Sequence, residues 1–181
     1  MRIRAAGVAS IAAALLCGCH GSDPEPRTDA GRRGAKEAVM SESDRSTTDR
    51  LVDRWRWRHR LLVVRSDRDA LLAEQASLVE SREAAWVDRE MKLVLLTTDG
   101  GLVVDRFVDG GPVGESFSSG VEHLLVDRYG LESGHQGIAA ALVGKDGGVK
   151  ARWSELVDPE AVFDLVDAMP MRIREVRETE E

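Results

Sequence analysis

The chain has 181 residues, a length typical of one domain rather than two. Hydrophobic residues make up 43% and charged residues 31%, a globular balance, and the formal net charge of -7 argues against a nucleic-acid-binding surface. The only cysteines are Cys17 and Cys19, which excludes a disulfide scaffold, a cysteine zinc site, a CxxC redox centre and a cysteine nucleophile further along the chain.

The N-terminus has the layout of a secretory signal. Arg2 and Arg4 form a basic start, and residues 5–16 are apolar apart from Gly7 and Ser10. This run is too short for an ordinary membrane-spanning helix, which needs about 20 residues.

The sequence Leu16-Cys17-Gly18-Cys19 resembles a bacterial lipobox, in which a small residue precedes the cysteine that receives lipid. Residues 1–18 are therefore predicted to be a lipoprotein signal peptide and Cys19 the lipidation site, anchored by its acyl chains. The expected location is the bacterial cell envelope, with the protein facing the periplasm or the cell surface. The alternative is a plain signal peptide cut near Gly18 or Gly21, which gives a soluble secreted protein.

Residues 19–50 are predicted to be the lipid anchor and a flexible tether. From residue 20 onwards the segment has no aromatic residue, and Gly, Pro, Ser, Thr, Asp and Arg dominate it. Such a composition buries too little apolar surface to offset the entropy of ordering the chain. The folded domain is expected over residues 51–177, with a charged tail at 178–181.

The first predicted elements form a strand-helix-strand unit. Arginine alternates with Trp or His over residues 54–60, the period of a strand, and the apolar run 61–64 continues it. Ser66 and Asp69 resemble a capping box that opens a helix over about 67–88. Residues 93–96 form a second buried strand, which a right-handed crossover places parallel to the first.

The middle of the chain is less regular. Residues 102–104 have the composition of a short strand, and residues 109–112 that of a turn, but the stretch 102–118 stays ambiguous. Ser119 and Glu122 resemble a second capping box, and Gly130 is a suitable end for the helix that follows.

The last elements are a hairpin and a helix. Residues 138–143 form an apolar strand, and Asp146-Gly147 is a turn from which residues 149–153 return antiparallel. Asp158 caps a helix that Pro170 ends or kinks.

This order predicts an α/β fold of the thioredoxin-like type. We expect a three-layer sandwich with a central mixed sheet of about four to five strands, helices on both faces and no redox CxxC. Another three-layer α/β sandwich with a different strand order is the alternative.

Three segments also resemble a known family. They are 57–64 (WRHRLLVV), 142–150 (LVGKDGGVK) and 167–172 (DAMPMR). Together they resemble a bacterial family of secreted thioredoxin-like domains of unknown function, related to domains of extracellular-matrix-associated animal proteins with sushi repeats. The resemblance covers roughly residues 51–177 and implies a thioredoxin-like core without an established activity.

One candidate site is the crevice at the carboxyl end of the first strand. Ser66, Arg68 and Asp69 are expected there at a helix N-terminus, facing His135. Free backbone N–H groups at this position suit an anion, and the charged groups suit an enzyme, whereas a plain helix cap is the structural alternative.

A second candidate surface is the hairpin with Lys145, Asp146 and Lys150, which suits a polar ligand or a partner. In the structural alternative, Asp146 shapes the turn and Lys145 is a solvated edge residue. Arg60 and Arg172 are expected in buried ion pairs.

These features favour a lipid-anchored, redox-inactive binding module over an enzyme. The expected partners are the membrane, through the N-terminal lipid, and an envelope protein or polysaccharide, but no nucleic acid. No cofactor and no metal site are predicted, since the four histidines lack ligand spacing. An enzyme or a small anionic-ligand binder that uses the thiol-free crevice is the alternative.

Overall fold

The computed structural model describes residues 41–108, 111–132 and 137–180. In these ranges the chain forms six helices and six strands. The helices are α1 (Glu42–Trp55), α2 (Asp69–Glu80), α3 (Glu83–Asp88), α4 (Ser119–Tyr129), α5 (Pro159–Asp167) and α6 (Pro170–Glu180). The strands are β1 (Arg60–Ser66), β2 (Met91–Thr97), β3 (Gly100–Val108), β4 (Gly111–Ser118), β5 (Ile138–Val143) and β6 (Val149–Trp153).

The strands form one open mixed sheet in the order β4-β3-β2-β1-β5-β6. The pair β1–β2 is parallel, as predicted, with Leu62 beside Leu93. All other neighbouring pairs are antiparallel, including the predicted hairpin β5–β6. The sheet has six strands within the described ranges, so the expectation of four to five was too low.

Helices cover both faces of the sheet, as predicted. One core packs α2, α3 and α5 against side chains such as Leu62, Leu93 and Leu142. The opposite core packs α1 and α4 against the alternate side chains, such as Val63 and Val94. Because successive side chains of a strand point to opposite faces, a central strand covered on both sides reads as a continuous apolar run.

The first helix was not predicted. Ser41 caps α1 and exchanges hydrogen bonds with Asp44, a capping box in a segment assigned to the tether. Leu51 and Val52 bury one face of α1. The flexible tether therefore does not extend to residue 50, because residues 42–50 belong to a packed helix.

The alternating Arg-Trp segment is not a strand. Trp55 ends α1 and is buried, whereas Trp57 has a φ of 65° and is 63% exposed. The first strand begins only at Arg60. Two aromatic residues at spacing two fit the end of a helix followed by a turn as well as they fit a strand.

The helix predicted over 67–88 is broken into α2 and α3. The Ser81 hydroxyl donates to the Leu78 carbonyl oxygen at 2.7 Å, where α2 ends. Such local side-chain hydrogen bonds compete with helix continuation. Both predicted capping boxes inside the domain are also wrong, since the N-caps are Arg68 and Ser118, and neither makes a side-chain cap bond.

The ambiguous stretch after β2 is the hairpin β3–β4. Its antiparallel register joins Val103 to Glu115 and shifts between Val104 and Arg106. Pro112 lies on β4, which is an edge strand and therefore tolerates a missing N–H donor.

The C-terminal elements follow the sequence signals more closely. The Asp158 carboxylate accepts from the Glu160 N–H, as a helix cap should, and α5 ends at Asp167, before Pro170. The charged segment that follows is helix α6, which includes residues 178–180. Within the described residues, no helix is both long and apolar enough to cross a membrane.

Candidate functional site

Ser66 is a structural residue of the crevice at the carboxyl end of β1. It is 1% exposed, and its hydroxyl donates to the Gly137 carbonyl oxygen at 2.7 Å and accepts from the Arg68 N–H at 3.0 Å. These bonds fix the turn from β1 into α2 and tie it to the chain that enters β5. The Ser66 hydroxyl is therefore committed to holding the backbone.

Arg68 and Asp69 are exposed beside this turn. The Arg68 guanidinium lies close to Gly137, where a Cβ atom would stand 2.9 Å from Nη2. Asp69 belongs to the first turn of α2. His135 lies outside the described residues, so its meeting with Arg68 and Asp69 stays a prediction, as does the lipidation of Cys19.

A groove of about 400 Å³ opens next to Asp69, between α2 and the hairpin β3–β4. We call it the carboxyl-end groove. Its walls are mainly apolar, and its charged lining consists of Asp69 and Asp99. The apolar side chains of its lining are Leu72, Ala73, Leu95, Leu102, Pro112 and Phe117. The sequence had shown no sign of it, because the β3–β4 wall was not predicted.

The hairpin β5–β6 brings Lys145, Asp146 and Lys150 together. Lys150 Nζ donates to Asp146 Oδ2 at 2.6 Å, and Asp146 Oδ1 accepts from the Gly148 N–H at 3.1 Å. The hydrogen bond from Lys150 lowers the pKa of Asp146 below its ordinary value. A Cβ at Gly144 would stand 2.6 Å from Lys150 Cε. The glycine therefore allows the side chains of Lys150 and Asp146 to pack directly against its backbone. The turn role predicted for Asp146 is confirmed.

Lys145 is not a solvated edge residue, because it is 7% exposed. Its Nζ donates to Glu175 Oε1 of α6 at 2.6 Å and also bonds to Glu90. Arg60 is 1% exposed, and its Nη2 donates to Glu175 Oε2 at 3.0 Å. We call Arg60, Glu90, Lys145 and Glu175 the amino-end cluster, since they gather where β1 begins.

The cluster keeps Glu175 charged. Burial raises the pKa of this carboxyl, but the hydrogen bonds and positive charges of Lys145 and Arg60 outweigh burial and hold its pKa below the ordinary value. The expected burial of Arg60 in an ion pair is thus confirmed. The expectation of a buried ion pair for Arg172 was only partly right: Arg172 pairs with Asp88, but the Asp88 side chain is 61% exposed.

Two strained backbone positions lie at the amino-end cluster, one beside it and one within it. Trp57 and Glu90 both have positive φ, at 65° and 51°, a region that residues other than glycine seldom adopt. The Trp57 N–H donates to the Lys145 carbonyl oxygen at 2.7 Å, and the Glu90 carbonyl oxygen accepts from the Arg60 N–H at 3.0 Å. Strain of this kind is often found at functional sites.

His59 precedes the cluster and has a buried Nδ1 atom without a hydrogen-bond partner. Burial and the nearby charge of Lys92 lower the pKa of His59, so the ring is neutral near pH 7. Across the described residues, no group of three His, Cys, Asp or Glu side chains is placed to hold a metal ion.

A comparison with protein families gives a match over more than half of the chain. The family model described as "Domain of unknown function (DUF4174)" matches residues 51–175. That range contains the carboxyl-end groove and the amino-end cluster, and it ends on the residue whose carboxylate joins Arg60 to Lys145.

Proposed function

We propose that this chain, which belongs to the DUF4174 family, is a lipid-anchored binding module with a redox-inactive, thioredoxin-like fold. The anchor is the Cys19 thiol, which the lipobox-like sequence at residues 16–19 marks for acylation. The ligand is a partner segment that the carboxyl-end groove receives.

The strand directions support the thioredoxin-like fold. Strands β2, β1, β5 and β6 are neighbours in that order, with β1–β2 parallel and the other two pairs antiparallel. These are the elements expected of that fold, with α2 and α3 crossing between β1 and β2. Helix α1 and the hairpin β3–β4 are additions to it.

The absence of thiol chemistry follows from the sequence. Thiol redox enzymes need a thiolate nucleophile, and the chain has no cysteine after Cys19. At the start of α2, the Ser66 hydroxyl is committed to backbone hydrogen bonds. The groove beside it is therefore better suited to hold a ligand than to transform one.

The carboxyl-end groove carries the proposal. Its apolar walls suit an aliphatic or aromatic side chain, while the exposed carboxylates Asp69 and Asp99 suit a lysine or arginine next to it. The proposed ligand is thus a protein segment that presents an apolar residue beside a basic one. Asp67 adds a third carboxylate near the turn, which disfavours the alternative of a small anion at this place.

Binding to a defined peptide tests this proposal. The probe is a fluorescein-labelled hexapeptide that alternates lysine and leucine, with a glutamate-leucine hexapeptide as the charge control. The native chain should bind only the lysine-leucine peptide. The double change Asp69→Asn with Asp99→Asn should weaken binding about fivefold, since each exposed charge pair contributes roughly 0.5 kcal/mol.

Two further variants locate the peptide. Ala73→Trp fills the groove and should abolish binding, whereas Ser77→Trp, exposed on the same helix outside the groove, should leave it unchanged. Equal binding of both peptides, or binding that survives Ala73→Trp, would overturn the proposed site.

A further inference from the structure

A second cavity, of about 310 Å³, adjoins the amino-end cluster and differs from the carboxyl-end groove in its charge. Arg60, Lys145 and Lys150 line it, against one carboxylate, Asp146, which already pairs with Lys150. The remaining wall includes Met169, and Pro170 and Met171 at the start of α6. One side of the cavity is therefore lined by basic side chains, each paired with a carboxylate, and the other side is apolar.

Two of its cations are almost completely buried. Arg60 is 1% and Lys145 is 7% exposed, and a buried charge is costly unless an opposite charge compensates it. The Glu175 carboxylate compensates both, since it takes hydrogen bonds from both side chains, and Glu90 is a second partner of Lys145. Arg60 and Lys145 together thus bind a carboxylate that bridges a guanidinium and an ammonium group.

Helix α6 places Glu175 beside Arg60 and Lys145, but the helix itself makes little apolar contact with the rest of the domain. No residue of α6 is buried, and Ile173 and Val176 are exposed. Its contacts include the ion pairs of Glu175 and those of Arg172 with Asp88 and Asp167. A helix held in this way separates from the domain more easily than one with a buried apolar face.

We propose that Arg60 and Lys145 form a binding site for a small organic carboxylate, and that Glu175 is the internal ligand that occupies it. An incoming carboxylate takes the place of Glu175, and its apolar part lies against Met169, Pro170 and Met171. Glu90 remains bonded to Lys145 whether Glu175 or the incoming carboxylate occupies the site. Besides Glu90, the site therefore binds only one carboxylate at a time. This inference rests on other residues than the carboxyl-end groove and stands independently of it.

The test compares hexanoate with hexanamide, which has the same chain length and no charge. Isothermal titration calorimetry measures the affinity of the full chain and of two variants, Glu175→Gln and Glu178→Gln. Glu178 is an exposed residue of the same helix and serves as the matched control. Because Glu175 occupies the site in the native chain, its removal should raise the affinity for hexanoate about tenfold, while Glu178→Gln should not change it.

The cations are tested in the Glu175→Gln background. Adding Lys145→Met should abolish hexanoate binding, and Lys150→Met, at the rim, should reduce it about threefold. Circular dichroism establishes that each variant is folded. If Glu175→Gln does not bind hexanoate more tightly than the native chain, or if hexanamide binds equally well, the proposed carboxylate site is wrong.

Discussion

Gln75 on α2 satisfies both backbone groups of Val157. Its side-chain nitrogen donates to the Val157 carbonyl oxygen at 2.9 Å, and its side-chain oxygen accepts from the Val157 N–H at 2.8 Å. Both residues are buried, so the amide of Gln75 supplies hydrogen-bond partners to the backbone of Val157, which lies between β6 and α5.

Replacing this amide should destabilise the domain. Gln75→Leu leaves a buried N–H and a buried carbonyl without partners, and we expect a loss of about 2–4 kcal/mol in the free energy of unfolding. Glu74→Leu, an exposed change on the same helix, should stay within about 0.5 kcal/mol of the native value. Urea denaturation followed by circular dichroism measures both. Equal stability of the two variants would contradict the role assigned to Gln75.

The ion pair between Arg65 and Glu122 should be needed for stability. The Glu122 side chain is completely buried and accepts from Arg65 Nε at 2.9 Å. Arg65→Met leaves this carboxylate in the core and should cost about 3–5 kcal/mol. Arg54→Met breaks an ion pair with Glu115 that is half exposed, and should cost less than about 1 kcal/mol. The same urea experiment compares them, and the double change Arg65→Met with Glu122→Met should recover part of the loss.

Glu175 should make stability depend on acid pH. Its pKa is lower in the folded chain than in the unfolded chain, so its contribution is complete above the ordinary pKa of about 4.3 and disappears as the pH falls to the folded-state pKa. The native chain should therefore be more stable than Glu175→Gln by on the order of 1–2 kcal/mol at pH 7. The difference should shrink as the pH falls through the ordinary pKa and below it. A difference that stays constant over this range would show that Glu175 does not titrate as described.

Cys19 should decide where the protein is found. In bacteria that express the full chain, Cys19→Ala should move it from the membrane fraction to the soluble fraction or leave the signal peptide uncut. Cys17→Ala, two residues earlier, should leave membrane attachment unchanged. Fractionation and the mass of the mature N-terminus measure the outcome. A native chain that is soluble and begins near residue 19 or 22 without lipid would support the plain signal peptide instead.

The central strands could be predicted from the sequence because burial on both faces gives continuous apolar runs. Residues 61–64, 93–96 and 138–143 are such runs, and they correspond to β1, β2 and β5. Strand β4 could not, because Gly111, Pro112 and Gly114 have low strand propensity and only pairing with β3 makes this segment a strand. Helix α1 was missed because most of its residues are polar and the sheet supplies its apolar partner.

The candidate sites show the same limit. Lys145, Asp146 and Lys150 lie close together in the sequence, and the turn between them was predicted. Arg60 and Glu175 are 115 residues apart, so no short-range pattern joins them, and the segment 172–181 around Glu175 is mostly charged. One wall of the carboxyl-end groove is formed by β4, so the groove could not be predicted without that strand.

The two edge strands affect how copies of this protein meet. Strand β4 carries Pro112 and Glu115, and β6 carries Lys150 and Arg152, while the pairing of each edge strand with its neighbour includes a register shift. A missing donor, exposed charges and local twist all oppose the addition of another strand. Crowded copies of the domain therefore resist joining their sheets edge to edge.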